Sequence, residues 1–122
     1  MRVLSVRGAV QVAKDEPDLI CQGLGGLVEE LLQVNRIKLR RVINLQFSVT
    51  RDLVSLNPAA ALRRRGDYGG IPLFCSQEPD YRGSLERVIR VLILFESLFF
   101  RTPRPLYRGG AEALRPDLAA GS

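Results

Sequence analysis

From Glu86 to Glu96 the chain alternates as a strand does, and the alternation puts Val88, Arg90, Leu92 and Leu94 on one face. Arg90 is thereby a cation set among hydrophobes. Burying an unpaired guanidinium costs several kcal/mol, so Arg90 requires an anion, supplied either by another part of the chain or by a ligand. The residues leading into this strand run from Cys75 to Arg90 and place a thiol and a carboxylate three positions apart (Cys75, Glu78). A Gly83-Ser84 turn follows.

Around this strand the rest of the chain reads as a mixed α/β domain. Arg2 to Val10 alternates as a strand with Arg7 on its less apolar face. Lys14-Asp15-Glu16-Pro17 is a helix start, and Leu19, Ile20, Leu24, Leu27, Val28, Leu31 and Leu32 keep helical spacing to about residue 34. Gly23, Gly25 and Gly26 each cost this helix about 1 kcal/mol relative to alanine, a cost that close packing against a sheet would explain. After a basic connection, Arg36 to Arg41, a second strand sets Ile43, Leu45, Phe47 and Val49 against Asn44, Gln46, Ser48 and Thr50. One face is core; the other meets water or another subunit. Asn57 to Arg65 reads as a short helix with asparagine as N-cap and arginines at its negative end. Ile71 to Cys75 is a short strand, residues 79–85 a turn-rich connection, Arg101 to Gly110 a loop, and Ala111 to Leu114 a helical turn. A tail from about residue 116 is expected to fray.

Composition bounds the chemistry. A length of 122 residues and 46% hydrophobic content fit a single domain with a modest core that association would reinforce. The net charge of +5 favours anionic partners. Two cysteines and no secretory pattern predict reduced thiols in the cytoplasm, and the most apolar stretch, Val91 to Phe100, is too short to span a bilayer. With no histidine there is no Ser-His-Asp or Cys-His arrangement, and two lone cysteines make no zinc site. Gly23-Leu24-Gly25-Gly26 lacks the third glycine of a dinucleotide fingerprint and lies inside a helix. What remains is a set of arginines with one carboxylate, one thiol and one tyrosine. That set suits catalysis by positioning and electrostatics.

A family resemblance runs in order through these segments. It is carried by Val6-Arg7-Gly8-Ala9, Ser48-Val49-Thr50-Arg51-Asp52-Leu53, Pro58-Ala59, Ile71-Pro72, Cys75-Ser76-Gln77-Glu78, Gly83-Ser84-Leu85, Arg87-Val88-Ile89-Arg90-Val91 and Leu114-Arg115-Pro116-Asp117-Leu118. Together they resemble the monofunctional AroH-class chorismate mutases, over about residues 3 to 118. The resemblance implies an α/β (α+β) fold, with a mixed sheet carrying helices on one side, assembled as a trimeric pseudo-α/β barrel. It also implies a homotrimer with active sites between neighbours. These would convert chorismate to prephenate, in phenylalanine and tyrosine biosynthesis, without cofactor or metal and without nucleic-acid or membrane partners. By the same resemblance Arg90 would bind a carboxylate and the ether oxygen, Arg7 and Tyr107 would hold carboxylates, and Glu78 would accept the ring hydroxyl with Cys75 close by. Arg63 and Arg115 would complete a positive wall, and Asn57, Ala59, Ala60, Leu73, Phe74 and Leu114 would line the pocket.

The chain departs from the family pattern where members often carry an aromatic and a charged residue beside Ala59: here stand Asn57 and Ala60, with Arg64 nearby. Arg101-Thr102-Pro103-Arg104-Pro105 replaces a more acidic family segment before Tyr107. Taken singly, Arg7 is a surface charge, Glu78 a solvated loop residue, Cys75 a small buried hydrophobe, Tyr107 a packing residue and Arg63 to Arg65 a solvated helix end. Their ordered co-occurrence overrides those readings. Two alternatives stay open at this level: a non-catalytic relative that binds a chorismate-like dicarboxylate, and a basic nucleic-acid-binding module built on Arg36 to Arg41 and Arg63 to Arg65.

Overall fold

The computed structural model describes residues 1–119. In chain order its main elements are β1 (Arg2–Gln11), α1 (Pro17–Val34), β2 (Val42–Val49), α2 (Pro58–Arg63), β3 (Leu73–Gln77), β4 (Val88–Ser97), β5 (Leu106–Arg108) and α3 (Pro116–Ala119). Short 3-10 turns cover Leu39–Arg41 and Ala111–Leu114. The strands form one mixed sheet in the order β3-β2-β4-β1-β5. The central β4 runs antiparallel to both neighbours, while β3 and β5 add at the two edges in parallel with β2 and β1.

Helices cover one side of this sheet. Ile20, Leu24, Leu27, Val28 and Leu31 of α1 meet Val6, Val10, Leu45, Phe47, Ile89, Val91, Ile93 and Phe95 in one buried cluster, and α2 adds Ala61 and Leu62. The alternate residues of β4, namely Arg90, Leu92 and Leu94, lie on the other side, which no helix covers and where they are only half-buried. A second, small cluster closes one end of that open face: Ala9, Val88, Tyr107 and Ala111, flanked by Leu85 and Leu114.

The glycines of α1 have separate explanations. A Cβ on Gly23 would stand 2.9 Å from Val12 Cγ1, so this turn of helix lies tightly against the sheet as the sequence predicts. Gly25 instead makes room for the Arg65 side chain, whose guanidinium pairs with Glu29 at 2.9 Å. Nothing lies within 4 Å of a Cβ on Gly26, and no structural reason for that glycine is apparent.

Three expectations are corrected. Ile43 is exposed, because a bulge between Val42 and Asn44 breaks the alternation at the start of β2. The short strand expected over residues 71–75 is displaced to Leu73–Gln77. The loop expected over residues 101–110 contains β5, a three-residue strand paired with Gly8, Ala9 and Val10. In the tail Pro116–Ala119 form α3, and residues 120–122 lie outside the described residues.

Candidate active site

A single row of side chains crosses the open face of the sheet. Ser48 of β2 is paired with Arg90 of β4, Arg90 with Ala9 of β1, and Ala9 with Tyr107 of β5. Paired residues share a face, so Ala9, with only a methyl group, leaves a recess between the guanidinium and the phenol. Arg7 sits two residues back on β1, opposite Leu92. It is therefore diagonal to Arg90, a separation of roughly 7–8 Å between backbones. The resulting cleft has a volume of about 230 Å³ and is lined by Arg7, Arg90 and Tyr107 together with Gln46, Ser48 and Leu92. Its only charged lining groups are the two arginines.

The anion that Arg90 requires is first of all internal. Glu78, just past the end of β3, brings Oε1 to 2.9 Å from Arg90 Nε. The Nε–H is not aimed at that oxygen, so the contact is a charge contact without a directed hydrogen bond. Ser48 Oγ donates to the same Oε1 at 2.6 Å, and the Glu78 backbone N–H donates to the Val49 carbonyl at 2.7 Å. Glu78 is thus tied to β2 by its side chain and its backbone. Arg7 has no ion-pair or hydrogen-bond partner for its side chain among the described residues. One carboxylate, held by Arg90 alone, against two guanidiniums leaves the cleft positive.

A clamp fixes where β4 begins. The Asp52 carboxylate accepts the Arg87 backbone N–H at 3.1 and 3.0 Å and the Thr50 hydroxyl at 2.6 Å, and Thr50 Oγ1 accepts the Val88 N–H at 3.0 Å. Arg87 has φ of 53°, in the left-handed region that a non-glycine residue occupies at a cost. The clamp holds that turn three residues before Arg90.

The remaining predicted residues separate into two groups. Leu114 packs beside Tyr107 in the small cluster, and Arg115, close by in sequence, is engaged by Asp117 at 2.9 Å; that hydrogen bond is the main cause of its raised pKa. The others sit away from the cleft of the same chain. Cys75 and Leu73 pair with Phe47 and Leu45 and pack against the main core on the helix-covered side. Burial pushes the Cys75 thiol pKa up, which suits a packing group and not a thiolate. Phe74 projects from the open face and is 70% exposed. Asn57 uses its side-chain oxygen to accept the Ala59 N–H at 2.8 Å, the expected N-cap. Ala59 packs against the core, Ala60 is half-buried and Arg63 is exposed at the end of α2. The structure therefore brings together Arg7, Arg90, Glu78 and Tyr107, with Leu114 and Arg115 beside Tyr107, and leaves Asn57, Ala59, Ala60, Arg63, Leu73, Phe74 and Cys75 on the α2–β3 side.

Ser48 and Gln46 were missed as site residues. Their signal was the polar face of β2; what was lacking was the pairing of Ser48 with Arg90.

Six arginines are locally neutralised. Arg51 pairs with Asp80, Arg65 with Glu29, Arg87 with Glu86 and Arg108 with Glu30, besides the pairs at Arg90 and Arg115. At the α2 end Arg65 is thereby engaged, whereas Arg63 and Arg64 stay exposed.

Comparison with known proteins agrees with the fold. The family model "Chorismate mutase type I" matches residues 3–118. The chain is 39% identical to the protein named chorismate mutase AroH of Thermus thermophilus, covering 95% of this chain and 96% of that one. It is 32% identical to chorismate mutase AroH of Bacillus subtilis (strain 168), covering 98% and 94% respectively. The solved structure of a chorismate mutase from Clostridium thermocellum superposes with a TM-score of 0.85 at 31% identity, over 90% of this chain and 98% of that one.

Proposed function

This chain belongs to the type I chorismate mutase family and is a chorismate mutase, and from that premise we propose that it rearranges chorismate to prephenate in the cleft between Arg7, Arg90 and Tyr107. In that rearrangement the ether C–O bond breaks while a new C–C bond forms within the same molecule. The step balances without any proton or electron leaving the substrate. The enzyme's contribution is then to hold a compact conformer and to meet the charge that grows on the ether oxygen.

The observation that carries this reading is the convergence of two guanidiniums on a small cleft with one carboxylate on its edge. Chorismate bears two carboxylates, which Arg7 and Arg90 complement. Arg90 also supplies the fixed positive charge beside the ether oxygen. Glu78, oriented by Ser48, accepts a hydrogen bond from the ring hydroxyl, and Tyr107 and Arg115 hold carboxylate on the far wall. Purified protein should consume chorismate, followed as loss of its ultraviolet absorbance; an inactive wild-type protein overturns the proposal and favours a binding-only relative.

We infer a homotrimer in which the α2–β3 residues of one subunit face the Arg90 row of the next. The support is the uncovered sheet face, which carries Leu92 and Leu94 half-buried and Val3 and Phe74 exposed, and the division of the predicted residues into two groups that one chain does not unite. In this arrangement Arg63 and Arg64, both exposed, supply positive charge beside Asn57 and Ala60. We further propose that residues 1–122 act as one domain, and that it works in the cytoplasm, on the ground that Cys21 and Cys75 are both unpaired. Among the described residues no helix is long and apolar enough to cross a membrane.

Glu78→Ala should lower kcat by about 10- to 100-fold, the range of one lost positioning or acid–base contact, while the assembly keeps its mass by light scattering. Dissociation to monomers would assign Glu78 a structural role instead.

A further inference from the structure

At the opposite end of β4 from Arg90 the chain builds a second cleft, of about 340 Å³, that the mutase reaction does not use. Its lining includes Arg36, Lys38, Arg40, Arg41 and Arg101, against a single carboxylate, Glu96. Glu96 is six residues along the strand from Arg90, about 20 Å, so the two clefts are separate. Among the described residues the side chains of Arg36, Lys38 and Arg40 have no hydrogen-bond or ion-pair partner, and Arg41 only touches the Met1 sulfur at 3.7 Å. This contrasts with the paired arginines elsewhere in the chain.

Two further features mark this cleft as built. Arg36, at the end of α1, has φ of 51°, a position that glycine usually fills. Arg101 is held in place: its guanidinium donates to the Asn35 carbonyl and to Ser97 Oγ, and lies over the Phe95 and Phe99 rings at 5.3 and 5.7 Å. The apolar wall is exposed, Leu98 at 71% and Phe99 at 64%, so Phe99 keeps surface free for another ring.

We propose that this cleft binds a small organic phosphate: a phosphate group taken by Arg36, Lys38, Arg40 and Arg41, with an attached ring or apolar body lying on Leu98 and Phe99. Five cations against one carboxylate exceed what a single carboxylate ligand balances. Forked guanidinium donors match phosphate oxygens. A cleft of this volume holds a small molecule.

The test is titration calorimetry of the intact protein at low salt with phenyl phosphate and with inorganic phosphate. Phenyl phosphate should bind at least about tenfold more tightly than inorganic phosphate, and Phe99→Ser should remove that difference. Lys38→Gln combined with Arg40→Gln, at two exposed positions, should weaken phenyl phosphate at least about tenfold, whereas Lys14→Gln combined with Arg82→Gln, an equal loss of charge elsewhere, should change it less than about twofold. Arg90→Ala should leave this binding intact. Equal weakening by both double variants would reduce the effect to bulk charge, and loss of binding in Arg90→Ala would move the probe to the catalytic cleft; either overturns the proposal. Tighter, competing binding of a single-stranded oligonucleotide, or binding to phosphatidylglycerol vesicles without binding to phenyl phosphate, overturns it as well.

Discussion

Replacing Arg90 by alanine is expected to lower kcat/KM for chorismate by at least roughly 100- to 1000-fold, a loss of about 3 kcal/mol or more in transition-state stabilisation, with the fold preserved by circular dichroism. The effect is large because Arg90 answers two demands at once. It is a fixed charge on the central strand, backed by Glu78 at 2.9 Å, and it faces a cleft whose only other charged lining group is Arg7. Truncation also leaves the Glu78 carboxylate with Ser48 as its side-chain partner, which makes the cleft less positive as well as larger. A loss below about tenfold would show that the developing charge is met by another group.

Leu94→Glu is expected to give a monomer by light scattering with native circular dichroism and a mutase activity reduced by about 100-fold or more, the scale of loss when catalytic groups are no longer held together. Leu94 lies opposite Ser5 and Asn44 in the middle of the uncovered face. A carboxylate there costs little in an isolated chain, where water reaches it, and a great deal in a face buried against a neighbour. The measurement therefore separates assembly from folding. A monomer with full activity would show that one chain holds a complete site.

The core elements were legible in the sequence because their periods are unambiguous. β1, α1, β2, α2 and β4 all follow from alternation, helical spacing and capping, down to Asn57 as the N-cap of α2. Where the reading failed, the deciding contact was distant. Ile43 turns outward at a bulge that exists only because β2 pairs with β4, and β5 is three residues in a proline-rich segment whose only reason to be a strand is the exposed edge of β1. The site shows the same division. Alternation alone put Arg90 among hydrophobes, but Glu78 as its partner and Ser48 as the hydroxyl that orients Glu78 depend on register across two strand pairs. The family resemblance supplied the roles of Asn57, Arg63 and Cys75; no local pattern placed them beside Arg90, and within one chain they are not beside it.

The sheet order also has a consequence for how the protein is made. β1 is synthesised first, yet its partners in the sheet are β4 and β5, and Arg2 lies opposite Ser97. During synthesis the first strand therefore waits, unpaired and partly apolar, until most of the chain has left the ribosome. Contacts of such long sequence separation slow folding and prolong exposure to aggregation. Arg7 takes its place beside Arg90 only when β1 pairs with β4, so a nascent chain or one truncated before β4 has its helix and its second strand but no binding cleft at all.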